Sequence, residues 1–256
     1  MLIVISPAKT LDYDTPSKTK NHTIPGFLES SQKLIDTLKK ITKADLMSLM
    51  NISEKIASVN YKRYREWVLP LTVSNAKQCI YAFKGEVYTG LDIDQFNAAD
   101  IKYCQSHLRI LSGLYGLLRP LDLMFPYRLE MGTRLNTDAG KNLYAYWDDT
   151  ITEAINKLLA KQKDGILLNL ASNEYFKSVR PIKLEGEVIS PAFKEYKNGD
   201  YKMLGVYAKR ARGLMSRYVL KNRVENIEDI KLFDLDGYKF NKTLSKNNQW
   251  VFTRRR

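Results

Sequence analysis

The chain reads as an α/β protein, a mixed β-sheet flanked by helices, folded as a single domain over residues 1–256. Three observations carry that expectation. Short unbroken apolar runs, such as Leu2–Ile5 and Ile166–Leu170, have the length of fully buried strands. Segments with apolar residues at helical spacing separate those runs. No internal repeat, low-complexity stretch or linker divides the sequence.

Leu2–Ile5 is the first expected strand, ended by Ser6-Pro7, with Lys9 just beyond its carboxyl end. Ligands of α/β sheets bind outside the carboxyl ends of strands, so Lys9 is a site candidate by position, with a solvated lysine as the bland alternative. Residues 12–25 are polar and aperiodic, a loop. Leu28, Leu34, Ile35, Leu38 and Ile41 give a helix over Leu28–Ile41. Thr42 and Asp45 resemble a capping box and open a second helix through Met50. Asn51-Ile52-Ser53 breaks it, and a third helix runs from Glu54 to about Trp67. Ile80–Phe83 is expected as a strand, which places Lys84 at a strand end in the manner of Lys9. Asn97 caps a helix to about His107, and Leu108–Leu111 is a strand. One helix is expected over Asn142–Lys161, followed by the buried strand Ile166–Leu170. A turn capped by Ser172 or Asn173 then opens a helix, with Lys177 one turn on and amides that favour an anion. Glu187–Ile189 and Tyr201–Val206 read as strands, with a turn at Asn198-Gly199. Over Tyr207–Val224, a long helix, Arg210, Arg217 and Lys221 form a stripe beside the apolar one, at a cleft edge, while Lys209 and Arg212 are expected to point elsewhere. Tyr238–Phe240 and Trp250–Phe252 suggest a last hairpin, and Arg254–Arg256 a basic tail.

Leu111–Gly132 is unlike the rest. Glycines, prolines, arginines and apolar residues alternate too densely for a regular element, and a segment this apolar belongs inside the molecule with its backbone polar groups paired. Arg119 and Arg128 stay charged there and need partners. They either line a binding cleft or pair with Asp122 and Glu130 and fix the loop.

The totals exclude several classes. No apolar run is long enough for a membrane span, and the N-terminal run is too short for a signal peptide, so a cytoplasmic protein is expected. Cys79, Cys104, His22 and His107 form neither a disulfide framework nor a zinc spacing. No metal site or cofactor is expected. The net charge of +13 favours a polyanionic partner.

Residues 42–67 look like a helix-hairpin-helix element, whose second helix would offer backbone amides to a DNA phosphate. Asn51 and Ser53 stand where that motif usually has glycines; Asn tolerates a left-handed backbone and Ser can cap. Lys55 and Lys62 follow, with Arg63 and Arg65 interleaved by Tyr61, Tyr64 and Trp67. A plain helical hairpin with a solvated basic face is the competing reading.

Taken together, Ile5–Thr10, Ala82–Tyr88, Ser112–Thr133, Asn169–Ser178 and Ala208–Arg217 resemble the YaaA peroxide-stress family of bacteria, over essentially the whole chain. The resemblance implies a cytosolic protein of the hydrogen-peroxide response that limits free iron and oxidative damage. It also implies a mixed α/β fold, a helix-hairpin-helix element and a positively charged cleft for duplex or branched DNA. The expected DNA-binding residues are Lys9, Asn51, Ser53, Lys55, Lys62, Lys84, Arg119, Arg128, Lys177, Arg210 and Arg217. The alternative is a nucleic-acid- or nucleotide-processing enzyme of lyase or glycosylase type, with Lys9 or Lys84 as a Schiff-base nucleophile and a carboxylate from Glu86, Asp122, Glu130 or Glu174. No catalytic constellation is recognisable.

Overall fold

The computed structural model describes residues 1–255. At its centre is a five-stranded sheet in the order Gly116–Leu118, Leu108–Ser112, Leu2–Ile5, Ile166–Leu170, Glu187–Ile189. The last four strands are parallel, and Gly116–Leu118 returns antiparallel to its neighbour. In register, Ile3 lies between Leu108 and Leu168. Leu2, Ile3, Val4 and Ile5 are fully buried. Parallel strands covered on both faces need unbroken apolar runs, which is why these strands could be read directly.

A second sheet has the order Asp200–Lys202, Ala192–Lys197, Val251–Arg254, Lys239–Phe240. Ala192–Lys197 was not expected as a strand. Its inward positions include Glu195, which is buried and takes Arg254 Nε at 2.7 Å, so the alternating pattern is broken by a charge. The expected hairpin near the C-terminus forms between Lys239–Phe240 and Val251–Arg254. Arg254 is therefore a buried strand residue and not part of a solvated tail; Arg255 stacks on Tyr196, and Arg256 lies outside the described residues.

Three further expectations from the sequence differ from the structure. Ile80–Phe83 is not a strand: Cys79–Ala82 is one helical turn, and Phe83–Lys84 pairs antiparallel with Thr10–Leu11. A four-residue apolar run cannot by itself distinguish a buried strand from a buried turn of helix. The single helix expected over Asn142–Lys161 is two, Leu143–Trp147 and Thr150–Leu159, parted where Asp148 takes φ 38°. Arg180 pairs with both Asp148 and Asp149 at that break, giving the irregular carboxylates a partner. The strand expected over Tyr201–Val206 ends at Lys202, and Gly205 already starts the long helix Gly205–Lys221. The Asn198-Gly199 turn is as expected, with φ of 53° and 82°. Positive φ at both central residues is what a tight hairpin turn of matching twist requires.

Leu111–Gly132 lies in the body of the protein, and its backbone is paired there. Cys79 N–H bonds Asp122 O at 2.9 Å, Ile80 N–H bonds Pro120 O at 3.0 Å, and Leu123 N–H bonds Thr23 O at 2.9 Å. The apolar residues of this segment join one continuous core that runs from Met1 to Phe252. No helix among the described residues is long and apolar enough to cross a membrane.

Candidate functional site

The first strand crosses over to Leu108–Ser112 on one side, and the chain later returns on the other side with Ile166–Leu170. The carboxyl ends of Leu2–Ile5 and Ile166–Leu170 therefore flank a topological switch point, the place where α/β sheets open a crevice. Ser6 and Ser172 follow those two strands, and Ser172 N–H donates to Ser6 Oγ at 2.8 Å. Above them lies a cleft of about 570 Å³, lined among others by Lys9, Lys84, Glu86, Glu174, Lys209 and Arg212.

A second cleft of about 500 Å³ adjoins it, lined among others by Asp12, Lys77, Lys84, Asp92, Arg210 and Arg217. Lys84 lines both.

The two clefts are built by one helix crossing. Gly205–Lys221 packs on the short helix Glu86–Leu91 with backbone against backbone. A Cβ on Gly213 would stand 1.9 Å from Val87 O, and one on Gly90 would stand 2.2 Å from Arg210 O. Only glycine permits that approach. Lys209 and Arg212, three residues apart, share a helical face and enter the switch-point cleft; Arg210 and Arg217, seven apart, share another and enter the adjoining cleft. Helical spacing alone puts Arg210 and Arg217 at a cleft edge but points Lys209 and Arg212 elsewhere, whereas both of these line the switch-point cleft. The signal that would have found them is the Gly213 beside them: a glycine in a helix interior marks a close crossing, and residues flanking a crossing face the crevice.

Ion pairs divide the cations of the site. Lys9 Nζ takes Glu130 Oε2 at 2.8 Å, and Arg128 Nη2 takes Glu130 Oε1 at 2.7 Å. Glu130 thus joins the two residues, and Arg128 sits behind Lys9, with its Nε buried and unpartnered among the described residues. Lys84 Nζ takes Asp12 at 3.1 Å. The Thr15 amide and hydroxyl, with Lys84 next, hold the Asp12 carboxyl well below the usual carboxylate range. Arg217 takes Asp92 at 3.2 Å. Lys209, Arg210 and Arg212 have no side-chain partner among the described residues. Burial pushes the Arg212 guanidinium below its ordinary value, with no counter-charge to offset it.

Other expected site residues fall elsewhere. Arg119 is held by Asp122 at 2.9 Å and by Ile24 O at 2.7 Å, which is the loop-fixing reading. Lys177 lies over the Tyr144 ring, 5.1 Å from its centroid. Asn51, Ser53, Lys55 and Lys62 are exposed on the pair of helices Lys43–Met50 and Glu54–Glu66. Thr42 caps the first of these through Asp45 N–H, and Asn51 ends it with a left-handed backbone, φ 48°. Ser53 makes no side-chain capping bond, and Lys62 pairs with Glu66 at 3.5 Å. The buried face of Glu54–Glu66 reaches the central segment through Tyr64, whose hydroxyl donates to Arg128 O.

The lysines do not suit amine chemistry. Lys9 and Lys84 are largely exposed, 63% and 65%, and each serves as an ammonium in an ion pair. A Schiff-base lysine needs the opposite, a desolvated amine with its proton removed.

A family model described as "Peroxide stress protein YaaA" matches residues 1–244 of this chain. The chain belongs to that family. Proteins called "UPF0246 protein" are similar over their whole length: one from Teredinibacter turnerae is 53% identical over 255 residues, covering 100% of both chains. One from Shewanella oneidensis is 52% identical over 254 residues, 99% of both. One from Ralstonia pickettii is 52% identical over 255 residues, 100% of this chain and 99% of the other. The family's name gives a setting, the response to peroxide, and no chemistry. Chemistry has to come from the clefts and the two thiols. Cys79 and Cys104 are both buried, and burial raises both thiols, Cys104 to about 12. A thiol that reacts with peroxide does so as an accessible thiolate, which neither is.

Proposed function

We propose that this protein serves the peroxide response in the cytoplasm by binding DNA, duplex or branched, and that its effect on free iron follows from that binding. The observation that carries this reading is the convergence of Lys9, Lys84, Arg210 and Arg217 on two adjoining clefts, joined by the unpaired Lys209 and Arg212. With a net charge of +13, this gives a concentrated basic face for a phosphate backbone. The helical pair over residues 42–67 is assigned a second contact. Ser53 leaves the first amides of Glu54–Glu66 without a side-chain cap, so a phosphate can take them, with Lys55 alongside.

The test is a titration of labelled duplex and four-way-junction DNA by fluorescence anisotropy at several salt concentrations. Each neutralised phosphate releases counterions, so log affinity should fall steeply and linearly with log salt. A slope near zero across moderate salt sinks the reading. Lys84→Ala, which empties a cation from both clefts, should lower the slope by about one.

A further inference from the structure

We propose that the cleft at the strand ends is a binding site for a nucleoside phosphomonoester, with its phosphate on Arg212 and Lys209. The inference goes beyond DNA-backbone binding and does not rest on it.

Four features of the cleft point there. Its volume, about 570 Å³, falls within the roughly 300–1,000 Å³ typical of small-molecule sites. It opens at the switch point of a parallel sheet, where such ligands bind. Its charges are sorted. Lys9 and Lys84 are already paired with Glu130 and Asp12, whereas Lys209 and Arg212 have no partner. An unpaired guanidinium that is half buried costs stability unless something compensates it, and a bound anion does. Lastly, the remaining lining suits the rest of a nucleotide. Pro7, Ala8 and Val87 give an apolar wall for a base, while Glu86 and Glu174 can accept from sugar hydroxyls. Glu174 Oε1 already accepts Gly132 N–H at 3.0 Å, which fixes its carboxylate in place.

The choice of a monoester over a diester follows from charge. Two free cations on one helical face match a group carrying about 1.5 to 2 negative charges and three terminal oxygens; a diester brings one charge and two such oxygens. Arg212 offers a fork of donors suited to two of those oxygens. The same chemistry has two sources, a free nucleotide or the 5′-phosphate end of a broken strand.

Calorimetric titration with AMP and adenosine tests the first source. A competition between duplexes with 5′-phosphate and 5′-hydroxyl ends, at equal salt, tests the second. Wild type, Arg212→Gln, Lys209→Ala and the remote control Arg255→Ala are compared, each checked by its melting curve. Lys209 is exposed, so Lys209→Ala keeps the test open if Arg212→Gln does not fold. Preference for AMP over adenosine, about tenfold or more weaker in either cleft variant and unchanged in Arg255→Ala, supports the site with a free nucleotide as source. The same dependence seen only with phosphorylated duplex ends supports it with the strand end as source. No phosphate preference in either arm overturns the proposal, and so does a loss that Arg255→Ala reproduces.

Discussion

Adding one methyl group at Gly213 separates the role of the helix crossing from that of charge. Gly213→Ala changes no charge and no cleft-lining side chain. In an ordinary helix the change is stabilising, by roughly 0.8–1 kcal/mol. Here the new Cβ would stand 1.9 Å from Val87 O and 2.7 Å from Leu91 N, against about 3.0 Å as the closest approach real Cβ atoms make. The helices must therefore part by about 1 Å, and both obstructing atoms are backbone, which cannot rotate aside. Overpacking typically costs about 1–3 kcal/mol, and this contact belongs at the upper end. Setting the propensity gain against it leaves a net loss of about 2 kcal/mol. At about 2–4 °C per kcal/mol for a chain of this size, Tm should fall by about 4–8 °C. Gly205→Ala, in the same helix but with nothing within 4 Å of its Cβ, should not fall at all. The assay is thermal unfolding followed by circular dichroism, with DNA affinity measured below the transition. Opening the crossing displaces Arg210 and Arg212 together, so affinity should drop as well. A Gly213→Ala protein that melts at or above the wild-type temperature would refute the close-crossing argument.

Two further outcomes are expected. Asp100 takes Lys221 Nζ and Arg223 Nη2, each at 2.8 Å, and the Lys221 hydrogen bond leads the causes that hold its carboxyl below the ordinary 3.8. A depressed folded-state pKa gives stability that is present above the unfolded value and lost as pH falls through the folded one; the Tm difference between wild type and Asp100→Asn should stay constant from pH 7 to about 5 and narrow as pH falls below about 4, and a gap that widens on acidification would contradict it. Cys79 and Cys104 should resist both iodoacetamide and hydrogen peroxide in the folded protein and react on unfolding, because only the thiolate is reactive; mass-spectrometric detection of either modified in the native state would be contrary.

What the sequence disclosed follows from physical locality. The central strands were legible because both faces of a parallel strand are covered, leaving an apolar run with no polar alternation to misread. The caps at Thr42 and Asn97 were legible because a cap is a contact between residues three apart, Thr42 with Asp45 and Asn97 with Asp100. Ala192–Lys197 was not, because Glu195 is buried against Arg254, 59 residues away, and no local pattern announces a pair of that separation. The same limit governed the arginines of the central segment. Asp122 and Glu130 were visible as near neighbours of Arg119 and Arg128, but the choice between cleft and loop depended on Ile24 and Lys9, which only the fold brings near.

The cleft residues show how far charge alone can mislead. Lys209-Arg210-Ala211-Arg212 is one basic run in sequence, yet the crossing splits it. Successive residues on a helix turn by about 100°, so Lys209 and Arg212 lie about 60° apart, while Arg210 faces away from both and aligns within about 20° of Arg217. The crossing at Gly213 then converts these two faces into two clefts, one at the strand ends and one beside it. A count of positive charge in the helix predicts one basic surface and one kind of ligand. The backbone-to-backbone packing predicts two separable sites that share Lys84. Substitutions on opposite flanks should therefore act nearly additively on binding, and combinations that include Lys84 should not, since additivity fails where groups share a partner or a site. That contrast depends on the geometry of one helix crossing and not on the sum of charges.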